Sequence, residues 1–226
     1  IMDGNGRWAR SRGLPRINGH AAGMTSVRDV IEGAIDSGVA ILTLFAFSQE
    51  NWNRPAAEVG ALMRLLQRYV LKEQEELRRQ GVRVEVHGAL DRLSPGPRRA
   101  IDSIQRYTRL GRRLHLNLMV SYGSRAEIVR AARRLAEQVK AGTLEPSEID
   151  EAAFNSELYT VRLPDPDLLI RTSGEQRISN FLLWQLAYTE LFITPILWPD
   201  FRREHLYAAI NDYQKRERRF GRVTTG

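Results

Sequence analysis

A nearly continuous apolar run, Val39 to Phe47, lies between two stretches of helical spacing. A strand without polar alternation has to be covered on both faces, and helices are the usual cover in a parallel sheet. The same pattern continues along the chain. Residues 21–37 carry Met24, Val27, Ile31, Ala34 and Ile35 at helical spacing, with Gly38 placed to end the helix. Pro55 opens a long helix with Glu58 in its first turn and Leu62, Leu66, Tyr69 and Val70 on one side; Gly81 closes it. Val82–His87 then reads as strand, 97–110 as helix, Leu114–Val120 as strand and 125–140 as helix. Further on, Pro146–Leu158 reads as a short helix, Leu168–Ile170 as a short strand and 180–189 as a helix. Leu191–Leu197 reads as a broken strand and 203–218 as a basic final helix. Ile1 and Met2 read as the end of a strand whose beginning lies before the first residue. This alternation predicts a single α/β domain over residues 1–226, a mainly parallel sheet of about six strands flanked by helices with right-handed crossovers.

In such sheets ligands bind beyond the carboxyl ends of the strands. Three polar segments fall there: 3–20, 48–54 and 171–180. In the first, Asp3 stands against the turn Gly4-Asn5-Gly6, and Arg7, Arg10, Arg12 and Arg16 follow. Glycines let a backbone turn tightly and bring its N–H groups to a ligand, and the arginines add positive charge, so the segment suits a diphosphate. An anion beside a phosphate is repulsive unless a divalent cation lies between them, so Asp3 points to Mg²⁺. The second segment gathers Ser48, Gln49, Glu50, Asn51, Trp52 and Arg54 after an apolar strand; by itself it better fits a capped turn before the long helix, with Trp52 in the core. In the third, Arg171 and Arg177 flank a turn, and Ser179 stands at an expected helix N-terminus, where guanidinium forks and free N–H groups suit phosphate. An ordinary N-cap and surface charges would explain it equally well.

The net charge of +7 favours anionic partners or a solvated basic surface. The chain has no cysteine, which excludes disulfides, Cys-ligated zinc and a thiol nucleophile. Gly4-x-Gly6-x-x-Ala9 matches a dinucleotide fingerprint. Against a dinucleotide-dependent α/β enzyme, Asp3 lies where a nucleotide pyrophosphate would pass, and Arg7 and Trp8 are bulky where the helix must pack closely. A basic nucleic-acid-binding protein would need aromatic platforms on a strand, whereas the aromatic residues here concentrate in apolar segments.

Three long motifs carry a resemblance. Met2-Asp3-Gly4-Asn5-Gly6-Arg7-Trp8-Ala9, Phe47-Ser48-x-Glu50-Asn51-Trp52-x-Arg54-Pro55 and Arg171-Thr172-x-Gly174-Glu175-x-Arg177-x-Ser179-Asn180-Phe181 look like signatures of the cis-prenyltransferases, with the bacterial undecaprenyl diphosphate synthases the nearest match. Tyr188-x-Glu190, Leu197-Trp198-Pro199-Asp200-Phe201 and Arg218-Arg219-Phe220-Gly221 fit the same pattern. The resemblance implies a prenyltransferase that condenses isopentenyl diphosphate onto an allylic diphosphate such as farnesyl diphosphate, giving a long-chain polyprenyl diphosphate. It implies Mg²⁺ as cofactor, a homodimer, no nucleic-acid partner, a cytoplasmic location and peripheral membrane contact through the lipid product. It gives Asp3 the central role beside Mg²⁺ and makes Glu190 a second metal ligand reaching the partner subunit's site. It assigns Gly4, Asn5, Gly6, Arg7, Arg16 and His20 to the allylic diphosphate, with Trp8 beside its chain. Arg171, Arg177 and Ser179 fall to isopentenyl diphosphate, with Ile178 in the same loop. Ser48, Gln49, Glu50, Trp52 and Arg54 join the substrate-binding set. Asn51 is the family's proton acceptor by description, though a neutral amide is a poor base and better orients a water or relays the proton to a phosphate oxygen. Gln176 and Ser173 stand where some members carry His and Gly. An apolar product tunnel is also implied, with Ala46 as its gate and Leu114 towards its floor.

Overall fold

The computed structural model describes residues 1–217. Its elements run α1 (Asn5–Arg10), α2 (Arg16–Asp36), β1 (Ile41–Ser48), α3 (Ala56–Arg79), β2 (Val82–His87), α4 (Pro95–Thr108), β3 (Leu114–Tyr122), α5 (Ser124–Lys140), α6 (Glu151–Ser156), β4 (Leu168–Arg171), β5 (Glu190–Ile193) and α7 (Arg203–Gln214). A 3₁₀ turn, Gln49–Asn53, links β1 to α3. The main sheet has the order β1-β3-β2, and both pairings are parallel. Each crossover carries a helix, as parallel neighbours require. Alternate residues of β2 (Val82, Val84, Val86) are buried with Leu114 and Leu116 of β3, Leu44 of β1 and apolar residues of α2, α3 and α4 in one continuous core.

The expected single sheet of about six strands is corrected: the main sheet has three strands, and β4 and β5 pair in parallel as a separate two-stranded sheet. Ile1 reaches β4, its nitrogen donating to the Ile170 carbonyl and its carbonyl accepting from the Thr172 N–H. Pro195 lacks an N–H, and past Ile193 the chain holds on through separate bonds, Thr194 N–H to the Arg171 carbonyl, Gly174 N–H to the Thr194 carbonyl and Ser173 N–H to the Ile196 carbonyl. The helix expected over 180–189 is also absent. Ser179, Asn180 and Leu182 have φ of 48°, 64° and 48°, left-handed values that break a right-handed helix at its first turn. The apolar spacing there serves burial of Phe181 and Leu182 in a second core cluster with Met119, Tyr122 and Leu169. The final helix begins at the expected residue but ends at Gln214, short of the expected 218, with Lys215 as its C-cap; Arg218–Gly221 lie outside the described residues.

Two bulges shape the carboxyl end of the main sheet. Phe45 pairs with Met119 and Phe47 with Val120, so Ala46 is an extra residue on β1; Ser48 then pairs with Tyr122, so Ser121 is extra on β3. Ser121 has φ 53° and accepts a hydrogen bond from the Trp52 indole (2.9 Å), which fixes the 3₁₀ turn over the sheet. On the other side, α1 lies against α2 at Gly19 and Gly23. A Cβ on Gly19 would come within 1.9 Å of the Asn5 carbonyl oxygen, and one on Gly23 within 2.6 Å of Asn5 Oδ1. Only glycine permits that approach, and it holds the Asp3–Gly6 turn above the sheet.

Candidate active site

Asp3 is where the first and third polar segments meet. Its backbone N–H donates to Thr172 Oγ1 (2.9 Å), and Thr172 Oγ1 donates back to the Asp3 carbonyl (2.7 Å). The side chain accepts from the Gly4 N–H (2.7 Å) and from Arg171 Nη2 (3.0 Å), with Arg7 Nη2 at 3.8 Å. Burial pushes the carboxyl pKa up, but the Arg171 bond, the Gly4 amide and the two guanidinium charges outweigh it and hold Asp3 below its ordinary value. It is therefore ionised at neutral pH. Gly4 has φ 105° and a Cβ would meet Leu197 at 2.9 Å, so the turn requires glycine.

Arg171 is 3% exposed. Its Nη1 donates to Ser179 Oγ (2.9 Å) and to the Arg177 carbonyl, so one guanidinium draws the 171–179 loop around itself. Arg7 reaches the same loop: its guanidinium donates to the Ser173 carbonyl (3.1 Å) and to Ser173 Oγ, and it pairs with Glu175 at 3.0 Å. Glu175 also holds Arg177. Ser173 has φ 74°, a conformation that suits glycine.

Beside Asp3 opens a cavity of about 210 Å³. Its polar end is made by Asp3, Gly4, Asn5, Gly6, Arg16, His20, Asn51 and Arg54, and among the described residues Asp3 is its only carboxylate. Its apolar end is walled by Leu62, Leu66 and Tyr69 of α3, Met24 and Val27 of α2, and Leu44, Ala46 and Leu118 of the sheet. Half-buried His20 has its pKa lowered to about 4 by desolvation and by the charges of Arg54 and Arg16, so its imidazole is neutral at pH 7. His20 Nε2 and Asn5 Oδ1 are buried without a hydrogen-bond partner. Arg16 lies against Gly6 and, with Arg54, faces Glu58 (3.5 and 3.1 Å). Asn51 Oδ1 accepts from the Ser48 N–H (3.1 Å), so its oxygen is engaged in its own turn.

Other expected site residues lie outside this cavity. The Trp8 indole donates to Asp200 (2.7 Å) and lies under Arg12. Glu50 accepts from Asn180 (2.7 Å). A Cβ on Gly123 would lie 3.4 Å from Gln49 Oε1, which places Gln49 near the start of α5. Ile178 packs against the second core cluster. Ser48 supports Asn51 by capping the 3₁₀ turn. Glu190 opens β5, paired with Leu168, while Arg171 pairs with Ile193. Three residues of strand, about 10 Å, therefore separate the Glu190 and Asp3 ends, and Glu190 is held by Arg216 at 2.8 Å. Leu114 does not line the cavity: it is 1% exposed at the far end of β3, in the core. Sequence reasoning left Thr172, Glu175 and Asn180 without roles. Asn180 joins Glu50 to the Ser124 and Arg125 N–H groups at the start of α5. Their signal was present as a polar, glycine-bearing loop, but which pairs form depends on the left-handed residues.

Among the described residues no three His, Asp or Glu side chains gather as a closed metal site, and no helix is long and apolar enough to cross a membrane. A family model described as "Putative undecaprenyl diphosphate synthase" matches residues 1–221. Isoprenyl transferase of Heliobacterium mobile is 52% identical over 223 residues, covering 99% of this chain and 86% of the relative; that of Aquifex aeolicus is 50% identical over 223 residues, covering 99% and 94%. Lavandulyl diphosphate synthase from Lavandula x intermedia, solved in complex with dimethylallyl diphosphate, superimposes with a TM-score of 0.95 at 40% identity, covering 98% of this chain and 95% of that one. A probable undecaprenyl diphosphate synthase from Campylobacter jejuni gives 0.79 at 33%, covering 89% and 93%.

Proposed function

The chain belongs to the undecaprenyl diphosphate synthase family of isoprenyl transferases, and on that premise we propose that it performs Mg²⁺-dependent cis-prenyl chain elongation. The substrates are isopentenyl diphosphate and an allylic diphosphate such as farnesyl diphosphate, and the product is a long-chain polyprenyl diphosphate. One observation carries this reading: a single ionised carboxylate lies where two arginine-bearing loops meet, at the mouth of an apolar cavity. In each cycle the C1–O bond of the allylic diphosphate breaks and pyrophosphate leaves. The double bond of isopentenyl diphosphate forms the new bond to C1, and a proton leaves C2 to restore a double bond.

The allylic diphosphate belongs over the Gly4–Gly6 turn, where Arg7 and Arg16 neutralise it and the unpartnered His20 Nε2 can donate to it. An arriving anion raises the His20 pKa and strengthens that donation. Isopentenyl diphosphate belongs with Arg171, Arg177 and Ser179. Asn51, one lone pair of its oxygen taken by the Ser48 N–H, keeps its NH₂ group to orient a phosphate oxygen that takes the proton. Mg²⁺ is commonly held by one or two carboxylates plus substrate phosphates, a donor set that Asp3 and two diphosphates supply. When bound it neutralises charge developing on the leaving diphosphate. The basic partner of Glu190 and half-exposed Leu191 support a role for β5 at a homodimer contact.

Radiolabelled isopentenyl diphosphate with primers of increasing length, resolved by chromatography, tests the proposal. A ladder of products that EDTA abolishes and Mg²⁺ restores is the expected result. A single short product would favour the second reading, a short-chain prenyl diphosphate synthase, which the likeness to lavandulyl diphosphate synthase supports. A ladder insensitive to EDTA would overturn the role of Mg²⁺.

The cavity of about 210 Å³ is below the roughly 300–1,000 Å³ of small-molecule sites, so a long product needs Leu62, Leu66 and Tyr69 on α3 to move aside. Ala46, the extra residue of the β1 bulge, is exposed into this space. Ala46→Leu adds three carbons there, and overpacking costs about 1–3 kcal/mol only once the growing chain arrives. Shorter products with primer consumption retained are expected. Buried Leu114→Ala should lower stability by about 2–5 kcal/mol, read from urea denaturation, and leave the product ladder unchanged. An unchanged ladder in Ala46→Leu would remove Ala46 from the product path.

A further inference from the structure

A second cleft lies on the far side of α3, between its first turns and the start of α4, and encloses about 560 Å³. That volume is within the range of small-molecule sites. Arg54 and Met63 line both spaces, so the two are separated by one layer of side chains. Arg54, Arg64 and Arg92 face the cleft, and among the described residues no carboxylate lines it. Arg54 pairs with Glu58, whereas Arg64 and Arg92 have no ion-pair partner among the described residues. Arg92 lies instead over the ring of Trp52, 4.9 Å from its centroid. Guanidinium groups gathered across a concave surface repel one another, and a bound anion removes that cost.

The rest of the lining defines the anion. Ser94 stands at the N-cap of α4, a helix of 14 residues with no acidic residue in its first turn, and its side chain makes no cap bond. The positive end of that helix therefore adds to the field of the arginines. The floor is apolar, formed by Trp52, Val59, Met63 and Pro97. A bare inorganic ion would satisfy the rim and leave the floor to water. We propose that this cleft is a second ligand site, separate from the catalytic cavity, for an amphipathic phosphate: a phosphoryl group held by Arg64 and Arg92 and attached to a flat apolar group seated on Trp52 and Met63. Guanidinium forks match phosphate oxygens, and an aromatic ring on the ligand stacks on the Arg92–Trp52 pair.

Calorimetric titration of the full chain with 1-naphthyl phosphate tests this, alongside Arg64→Gln/Arg92→Gln, whose two residues have no part in the proposed chemistry. The double variant should bind one equivalent fewer than wild type, with elongation rate and melting temperature unchanged. Arg64→Lys/Arg92→Lys should keep that equivalent with at least tenfold weaker affinity, and inorganic phosphate should bind the cleft at least tenfold more weakly than the naphthyl ester. Equal stoichiometry in wild type and the Gln double variant would overturn the proposal. So would a naphthyl phosphate equivalent lost in Arg171→Ala alone, because the phosphate would then sit in the catalytic cavity. Equal affinity for inorganic phosphate and the ester would overturn the apolar half.

Discussion

Asp3→Asn is expected to lower kcat by roughly 10²–10³-fold or more, because it removes a charge and leaves the shape of the turn. The amide still accepts from the Gly4 N–H, and the Thr172 bonds to the Asp3 backbone are untouched. What is lost is the anion facing Arg171, Arg7 and, under the proposed function, the metal and the leaving diphosphate. The fold also loses something, because Arg171 is 3% exposed and its charge is left without a carboxylate. A fully buried pair broken in this way costs about 3–5 kcal/mol; the Asp3 side chain is 34% exposed, so solvent screening brings the figure nearer about 1–2 kcal/mol. The pH dependence follows from the lowered carboxyl pKa. A group whose pKa is depressed on folding stabilises the fold above its unfolded value and loses that contribution as the pH falls through the folded value. Wild type and Asp3→Asn should therefore differ in urea midpoint at pH 7 and converge as the pH falls below about 4. Near-wild-type turnover in Asp3→Asn would take the carboxylate out of the mechanism.

How much of this was legible before the structure depends on the residue. The β–α alternation was written in apolar spacing: the run Val39–Phe47 contains most of β1, which starts two residues later at Ile41, Val82–His87 and Leu114–Val120 lie on β2 and β3, and Leu62, Leu66 and Tyr69 share a wall of the cavity as the long helix predicted. The resemblance pointed to Asp3, Gly4, Asn5, Gly6, Arg16, His20, Asn51 and Arg54, which line one cavity. The third segment was harder to read. Ser179, Asn180 and Leu182 have nothing in their side chains that forces φ positive; the burial of Phe181 and Leu182 and the bonds of Asn180 to two other segments impose it. Periodicity alone turns that stretch into a helix. The bulges at Ala46 and Ser121 were equally silent, since each is a register slip between strands that lie some seventy residues apart. Trp8, which the motif assigns to the substrate chain, bonds through its indole to Asp200, a partner 192 residues away that no local spacing announces.

Arg171→Ala and Arg177→Ala, alike by spacing, should have different consequences. Arg177 has a side chain 62% exposed and held only by Glu175 in the same loop. Its loss should leave stability within error, as exposed ion pairs contribute little, and should raise KM for isopentenyl diphosphate. One charge-assisted contact of about 1.5–3 kcal/mol corresponds to a rise of roughly 10- to 100-fold. Arg171 is a hub: it joins Asp3 of the first segment to Ser179 and the Arg177 carbonyl of the third. Removing it frees the loop that Arg177 sits on and leaves the Asp3 charge with only the longer Arg7 pair at 3.8 Å. Arg171→Ala should therefore destabilise the fold measurably, by about 2–3 kcal/mol after screening at Asp3, and depress kcat as well as weaken isopentenyl diphosphate. Lysine should not rescue it, because a point charge cannot reach Asp3 and Ser179 at once as the guanidinium fork does. Initial rates with each substrate varied separately, together with urea denaturation, decide the matter. If Arg171→Ala melts like wild type and changes only the isopentenyl diphosphate KM, the two loops are not joined through this residue, and Asp3 acts without its buried partner.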